Sequence, residues 1–213
     1  MKIPLSKRLK KRLHLEIAML QDEVVEIIYS LEQGNEFIFH GGTAIWRCYN
    51  GNRFSEDLDF YGKLTENFRE KLESALKSRG LELKKYKQAP NVVFVKITDG
   101  TTEVRLEISA LKAKEKLLKK YEKADGTAMD VYTLSPENLI DEKMNAYTNR
   151  KFIRDIYDIY FLVGQTEGTT GKITDFIKTI EKPVDEENLR AIVYAGAVPS
   201  FREMIEALRG RLR

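Results

Sequence analysis

The chain has a single cysteine, Cys48, among 213 residues. No intramolecular disulfide can form and no cysteine-built zinc site can be assembled. Nor is there any apolar run near the roughly 20 residues that a bilayer crossing requires. The basic stretch Met1 to Leu15 is not followed by an apolar core and a small-residue cleavage site, so it does not read as a secretory signal. These absences make a cytoplasmic protein the simplest expectation, with no membrane partner. A strong excess of one charge is missing too: the formal net charge is +3. There is no internal repeat and no low-complexity linker. What is present is an apolar fraction of 42%, enough for a sizeable core, and a charged fraction of 32% to solvate the surface. A length near 200 allows one domain or two small ones.

The positive charge is uneven. Lys7, Arg8, Lys10, Lys11 and Arg12 form one block without an acidic neighbour. Lys112, Lys114, Lys116, Lys119, Lys120 and Lys123 form a second, diluted by Glu115 and Glu122. Such blocks can contact phosphates, and each reads equally well as a solvated helix face.

Hydrophobic spacing sets the organisation. Leu13, Ile17, Leu20, Val24, Ile27, Ile28 and Leu31 recur at three and four residues, predicting one helix over 5–32. Phe37-Ile38-Phe39 reads as a buried strand running into Gly41-Gly42, and Thr43 to Tyr49 as a short helix. Asp57 to Tyr61 is a second strand. Thr65 is the expected N-cap of a helix reaching Lys77. Residues 81–110 form a meander with a tight turn at Asp99-Gly100, and Met129 to Thr133 is one more strand. Ser135-Pro136 starts a helical region, with helices expected at 136–148, 151–163, 171–180, 185–193 and 198–210. The expected architecture is mixed α/β: an α/β core over 1–133 and a helical region over 134–213 packed on it.

The informative segment is His40 to Phe60. On a strand Asp57 and Asp59 point the same way while Leu58 and Phe60 enter the core. Two adjacent carboxylates repel, and a hard cation such as Mg²⁺ between them relieves that repulsion and brings phosphates with it. Glycines 41 and 42 expose successive N–H groups, and the helix starting near Thr43 aims its positive end at the same place, which suits a triphosphate. Glu107 on the return strand is the favoured third carboxylate, with Glu103 in phase as the competitor. His40 reads as a structural histidine, and Trp46, Tyr49 and Phe54 as core, with Tyr49 or Tyr61 as candidates to stack a base.

Gly41-Gly42-Thr43-Ala44 followed by Arg53-Phe54-Ser55-Glu56-Asp57-Leu58-Asp59-Phe60 resembles the signature of AbiEii/AbiGii-type nucleotidyltransferases, of the DNA polymerase β-like superfamily. A second stretch, Asp141-Glu142-Lys143-Met144-Asn145-Ala146, Arg150 and Arg154-Asp155-Ile156-Tyr157-Asp158, resembles that family's helical motif. The resemblance implies a polymerase β-like mixed sheet. It implies that Asp57 and Asp59 bind the catalytic Mg²⁺ or Mn²⁺, and that Gly41, Gly42 and Ser55, with Thr43 and Arg53 of the same motif, contact the nucleotide. It further implies that Lys143 and Asp155 are needed for activity. Many relatives carry an aspartate where Glu107 is assigned here.

The helical motif also has its own logic. On one unbroken helix Lys143, Tyr147, Arg150, Arg154 and Asp158 share a face, where the cations would neutralise triphosphate charge. The alternative is an i,i+4 salt-bridge ladder such as Arg154 with Asp158. The expected activity is transfer of a nucleotidyl group from a nucleoside triphosphate to an acceptor, with Lys143 and Arg154 steadying the leaving pyrophosphate. By resemblance the acceptor is RNA, tRNA first, and the protein is the toxin of a toxin–antitoxin or phage-defence pair whose antitoxin is encoded separately. The rivals are nucleotidylation of a protein hydroxyl and a non-catalytic binding module of the same fold.

Overall fold

The computed structural model describes residues 3–110, 115–166 and 170–211. The stretch expected as one N-terminal helix is two: α1 (Leu5–Arg8) and α2 (Arg12–Ser30), separated by extended backbone at Leu9 and Lys11. Tertiary contacts override the local preference there. Leu5 and Leu9 are buried, Ser6 N–H donates to the Ala124 carbonyl at 2.8 Å, and Arg8 reaches Glu122 at 2.5 Å. Part of the first basic block is thus neutralised inside the fold.

Helix α2 keeps the expected stripe: Val24, Val25 and Ile28 are wholly buried, each contributing about 1.5–3 kcal/mol of burial. After it come β1 (Ile38–His40), α3 (Gly41–Cys48), β2 (Leu58–Tyr61) and α4 (Phe68–Ser78). Thr65 does not cap α4. Asn67 holds the cap position, and the Thr65 hydroxyl turns to the side chains of Gln33 and Asn67. The meander is β3 (Glu82–Ala89), β4 (Val92–Thr98) and β5 (Glu103–Ser109).

Strands β6 (Leu117–Glu122) and β7 (Ala128–Thr133) follow. The described part of the second basic block therefore lies on and beside an edge strand, not on a helix face; Lys112 and Lys114 lie outside the described residues. Alternation decides it: Tyr121 is wholly buried while Leu118 and Lys120 are exposed. The sheet order is β3-β4-β5-β2-β1-β7-β6, with β2 parallel to β5, β1 parallel to β7, and the other neighbours antiparallel. Leu58, Phe60, Val93, Val95, Leu106 and Ile108 form its buried face, packed with α2 and α4.

The other face of β1–β5 is the polar one. Beyond β7, α5 (Pro136–Arg150), α6 (Ile153–Val163), α7 (Thr170–Thr179), α8 (Leu189–Ile192) and α9 (Phe201–Arg211) gather round a second apolar core. Ile38 of β1 and Ile45 of α3 belong to that core, so α3 is packed on both sides. Ser135 caps α5, accepting from Asn138 N–H at 3.3 Å.

The unbroken helix on which Lys143 to Asp158 would share a face does not form; α5 and α6 are separate, as the helices expected at 136–148 and 151–163 imply. Lys151 is left-handed (φ 54°) and ends α5, and Phe152 is extended before α6. The C-terminal chain holds the break: Val184 N–H donates to the Lys151 carbonyl and Ile153 N–H to Asp185 Oδ1. Helix α6 folds back on α5, and Tyr147 is buried with its hydroxyl on the Glu181 carbonyl.

Candidate active site

The Gly41-Gly42 turn is determined by what presses on it. Gly41 has φ +74°, a region that disfavours side chains, and a Cβ there would collide with Asp59 Oδ2. A Cβ on Gly42 would lie 2.5 Å from Arg53 Nη2 and 2.7 Å from Ser55 Oγ. The two glycines therefore let the start of α3 approach a carboxylate, a guanidinium and a hydroxyl together. Thr43 is buried, and its hydroxyl donates to the Asp57 carbonyl at 2.5 Å. Gln21, buried on α2, donates to the carbonyls of Ser55 and Glu56 at 3.0 and 2.8 Å. The loop before β2 is thereby fixed from both sides.

Register then gathers the acids. His40 of β1 lies opposite Asp59 of β2, and Asp59 beside Glu107 of β5. All three are half-buried on the polar face. Burial raises the Asp59 pKa; Asp57 and Glu142 add repulsion, while His40 and Lys143 act against it. Glu107 is likewise raised, by burial and then by the charge of Asp59. Asp57 is turned toward Arg105, whose Nε donates to Oδ1 at 2.8 Å. Glu103, the competing third carboxylate, is exposed and engaged by Lys84 and Lys96 further along the strand.

Among the described residues, no three His, Cys, Asp or Glu side chains converge as a preformed metal cage. The donor set nonetheless suits a hard cation: carboxylate oxygens only, with two raised pKa values that such a charge would bring down.

A group that sequence reasoning passed over flanks the acids. Glu142 accepts from Tyr61 at 2.6 Å and contacts His40 Nδ1 at 3.1 Å, and the His40 and Tyr61 rings stack at 3.8 Å. Burial favours the neutral form of Glu142, but the His40 and Tyr61 contacts outweigh it and its pKa is lowered. The stack occupies the Tyr61 face considered for a base. The only sequence signal was that Glu142 precedes Lys143 in the helical motif. Trp46, Tyr49 and Phe54 are buried, as expected.

Behind the acids lies a buried charge network. Arg53 clasps Asp158 with two hydrogen bonds of 2.5 Å. Lys143 reaches Asp158 at 2.9 Å and Asp155 at 3.6 Å, and Arg150 holds Asp155 with bonds of 2.8 and 2.7 Å. Burial raises the Asp158 pKa, but Arg53 and then Lys143 overcome it, and the net shift is downward. Arg154 stands apart, half-exposed over the Phe152 ring, and pairs with neither aspartate. The residues of the helical motif thus meet because two helices fold together, not because they share a helix face.

On the far side of the acids a cleft of about 360 Å³ opens over β3–β5, lined by Asp57, Asp59, Glu107, Phe94 and several cations of the sheet. Among the described residues no helix is long and apolar enough to cross a membrane.

The family described as "Nucleotidyl transferase AbiEii toxin, Type IV TA system" matches residues 26–202. No curated protein sequence matches. Among solved structures, JHP933 from Helicobacter pylori superposes with a TM-score of 0.65 at 23% identity, covering 95% of this chain and 91% of that one. A second H. pylori crystal structure gives 0.65 at 22% identity, covering 95% and 94%. These two likenesses show the fold.

Proposed function

Because the chain belongs to the AbiEii family of nucleotidyltransferase toxins, we propose that its Asp57–Asp59–Glu107 face performs metal-dependent transfer of a nucleoside monophosphate from an NTP to an RNA acceptor, tRNA first. The observation that carries this reading is the Gly41-Gly42 turn, whose missing side chains let the start of α3 close on Asp59, Arg53 and Ser55. A triphosphate would lie beside that turn, with the N–H groups at the start of α3 and the Ser55 hydroxyl as donors next to the carboxylates.

Asp57, Asp59 and Glu107 are the residues that would hold Mg²⁺ or Mn²⁺. Bound there, the cation would supply charge neutralisation at the α-phosphate. Asp57 leaves Arg105 to take part. The acceptor oxygen then bonds to the α-phosphorus in line as the bond to the bridging oxygen of the β-phosphate breaks. Pyrophosphate leaves, and the acceptor's proton passes to a carboxylate of the cluster or to solvent. Lys143, the cation of the buried network that also acts on Asp59, steadies the phosphate charge. Arg53, Asp155 and Asp158 act through it as positioning residues, and Thr43 acts through the loop bearing Asp57. Arg154, half-exposed over Phe152 and outside the buried network, acts on the leaving group only by screening.

An antitoxin, encoded separately, is the partner this reading implies, and the cytoplasm is where its substrates occur. The test is incubation of purified protein with labelled NTPs, Mg²⁺ and tRNA. Label should move to RNA with the parent and fall by at least 10²-fold with Asp57→Ala. No transfer to any acceptor, or an Asp57→Ala variant equal to the parent, sinks the reading.

A further inference from the structure

The cleft over β3–β5 lies on the side of Asp59 away from Lys143 and the glycine turn, and the phosphate-facing residues do not use it. Strand register lays out its floor. Lys87, Phe94, Glu107, Asp59 and His40 form one row across five strands, and Lys85, Lys96 and Arg105 the next. Phe94 is 43% exposed, an apolar ring on a face otherwise made of charged groups. At roughly 4.8 Å per strand it stands about 10 Å from Asp59. Lys85 and Lys87 are exposed, and among the described residues neither has an ion-pair partner. Lys96 and Arg105 are engaged by Glu103 and Asp57.

An aromatic face flanked by cations that have no acidic partner is the arrangement that binds single-stranded nucleic acid: the ring stacks one base and the cations follow the phosphates. We propose that this face holds the single-stranded end of the acceptor, with one unpaired base stacked on Phe94 and the adjoining phosphates on Lys85 and Lys87. The terminal hydroxyl then projects toward Glu107 and Asp59. This rests on the transferase reading for its direction, but not for the binding itself. The cleft offers a single exposed ring, Phe94, with cations beside it, which suits one unpaired base rather than the closed stack of a duplex.

The probe is a short fluorescein-labelled single-stranded RNA, titrated against the full chain by anisotropy, with blunt duplex RNA and a glutamate-rich peptide as competitors. Phe94→Ala should weaken binding of the single strand roughly 5- to 100-fold, the loss expected for one base stack, and Phe94→Trp should restore it. The Lys85→Glu/Lys87→Glu double variant should weaken binding and lower the salt-dependence slope by about 1.4, two phosphate contacts' worth for a single strand. Both positions are at the surface, so melting temperatures report whether the variants fold. Phe94→Ala binding as tightly as the parent overturns the proposal, as does a peptide or duplex that displaces the single strand at lower concentration than unlabelled strand does. An NTP-induced thermal shift of the parent separates the two readings. If that shift and all transfer are absent while RNA binding depends on Phe94, the transferase reading fails and this one stands.

Discussion

Two clusters of charge lie within a few side chains of each other and have opposite character. The network of Arg53, Lys143, Arg150, Asp155 and Asp158 is internally matched: every carboxylate has a guanidinium, and Lys143 lies between the two aspartates. Its effect on Asp158 is to stabilise the ionised form. The sheet-face cluster of Asp57, Asp59 and Glu107 is unmatched. Arg105 engages Asp57, whereas Asp59 and Glu107 are pushed toward their neutral forms. A buried charge set that is balanced holds two helices against the core. One that is left unbalanced at a cleft is where the proposed cation would supply the missing positive charge.

That contrast can be broken from either side. The largest effect is expected in the matched network. Asp158→Asn leaves the Arg53 guanidinium buried without its carboxylate and should cost about 3–5 kcal/mol in denaturant unfolding. Because the Asp158 pKa is lowered in the fold, its ionised form contributes stability above the unfolded carboxylate pKa. That contribution is lost as pH falls through the folded value, so the parent and Asp158→Asn should converge in acid. Next comes Lys143→Ala. Arg53 and Arg150 still pair with both aspartates, so the chain should fold, while nucleotidyl transfer drops by roughly 10²-fold. Equal losses of stability and activity would make Lys143 structural.

The fold was readable in the sequence where local pattern governs and unreadable where long-range contacts do. Alternation identified the meander, and the glycine turn before the Asp-x-Asp strand located the acids. Apolar spacing separates helices at 136–148 and 151–163, but no glycine or proline marks the left-handed Lys151 between them; distant residues at 184 and 185 hold it. Strand β6 was hidden by its lysines, which suit an edge strand as well as a helix surface. The resemblance assigns Arg53 and Thr43 to the nucleotide. In the fold their side chains bond Asp158 and the Asp57 carbonyl, partners that only the folded chain supplies. His40, Tyr61 and Glu142 come from three elements, so no sequence spacing could have joined them. The assignment of Glu107 over Glu103 rested on flanking strand residues, and register places Glu107 beside Asp59.

The smallest effect bears on the central claim, that the sheet-face acids are built to be completed by a cation. Raised carboxylate pKa values in the fold mean that the protonated forms favour folding. This stability is present below the unfolded carboxylate pKa and lost as pH rises through the folded values. Thermal melts of the parent and Asp59→Asn, at neutral pH and near pH 4.5, with and without Mg²⁺, test it directly. Without metal at neutral pH, Asp59→Asn should melt about 2–4 °C above the parent, the shift expected for about 1 kcal/mol in a chain of this size. Mg²⁺ should raise the melting temperature of the parent at neutral pH, raise it less in acid, and leave Asp59→Asn unmoved. A parent indifferent to Mg²⁺, or an Asp59→Asn variant that melts lower and gains as much from the metal, would contradict the account.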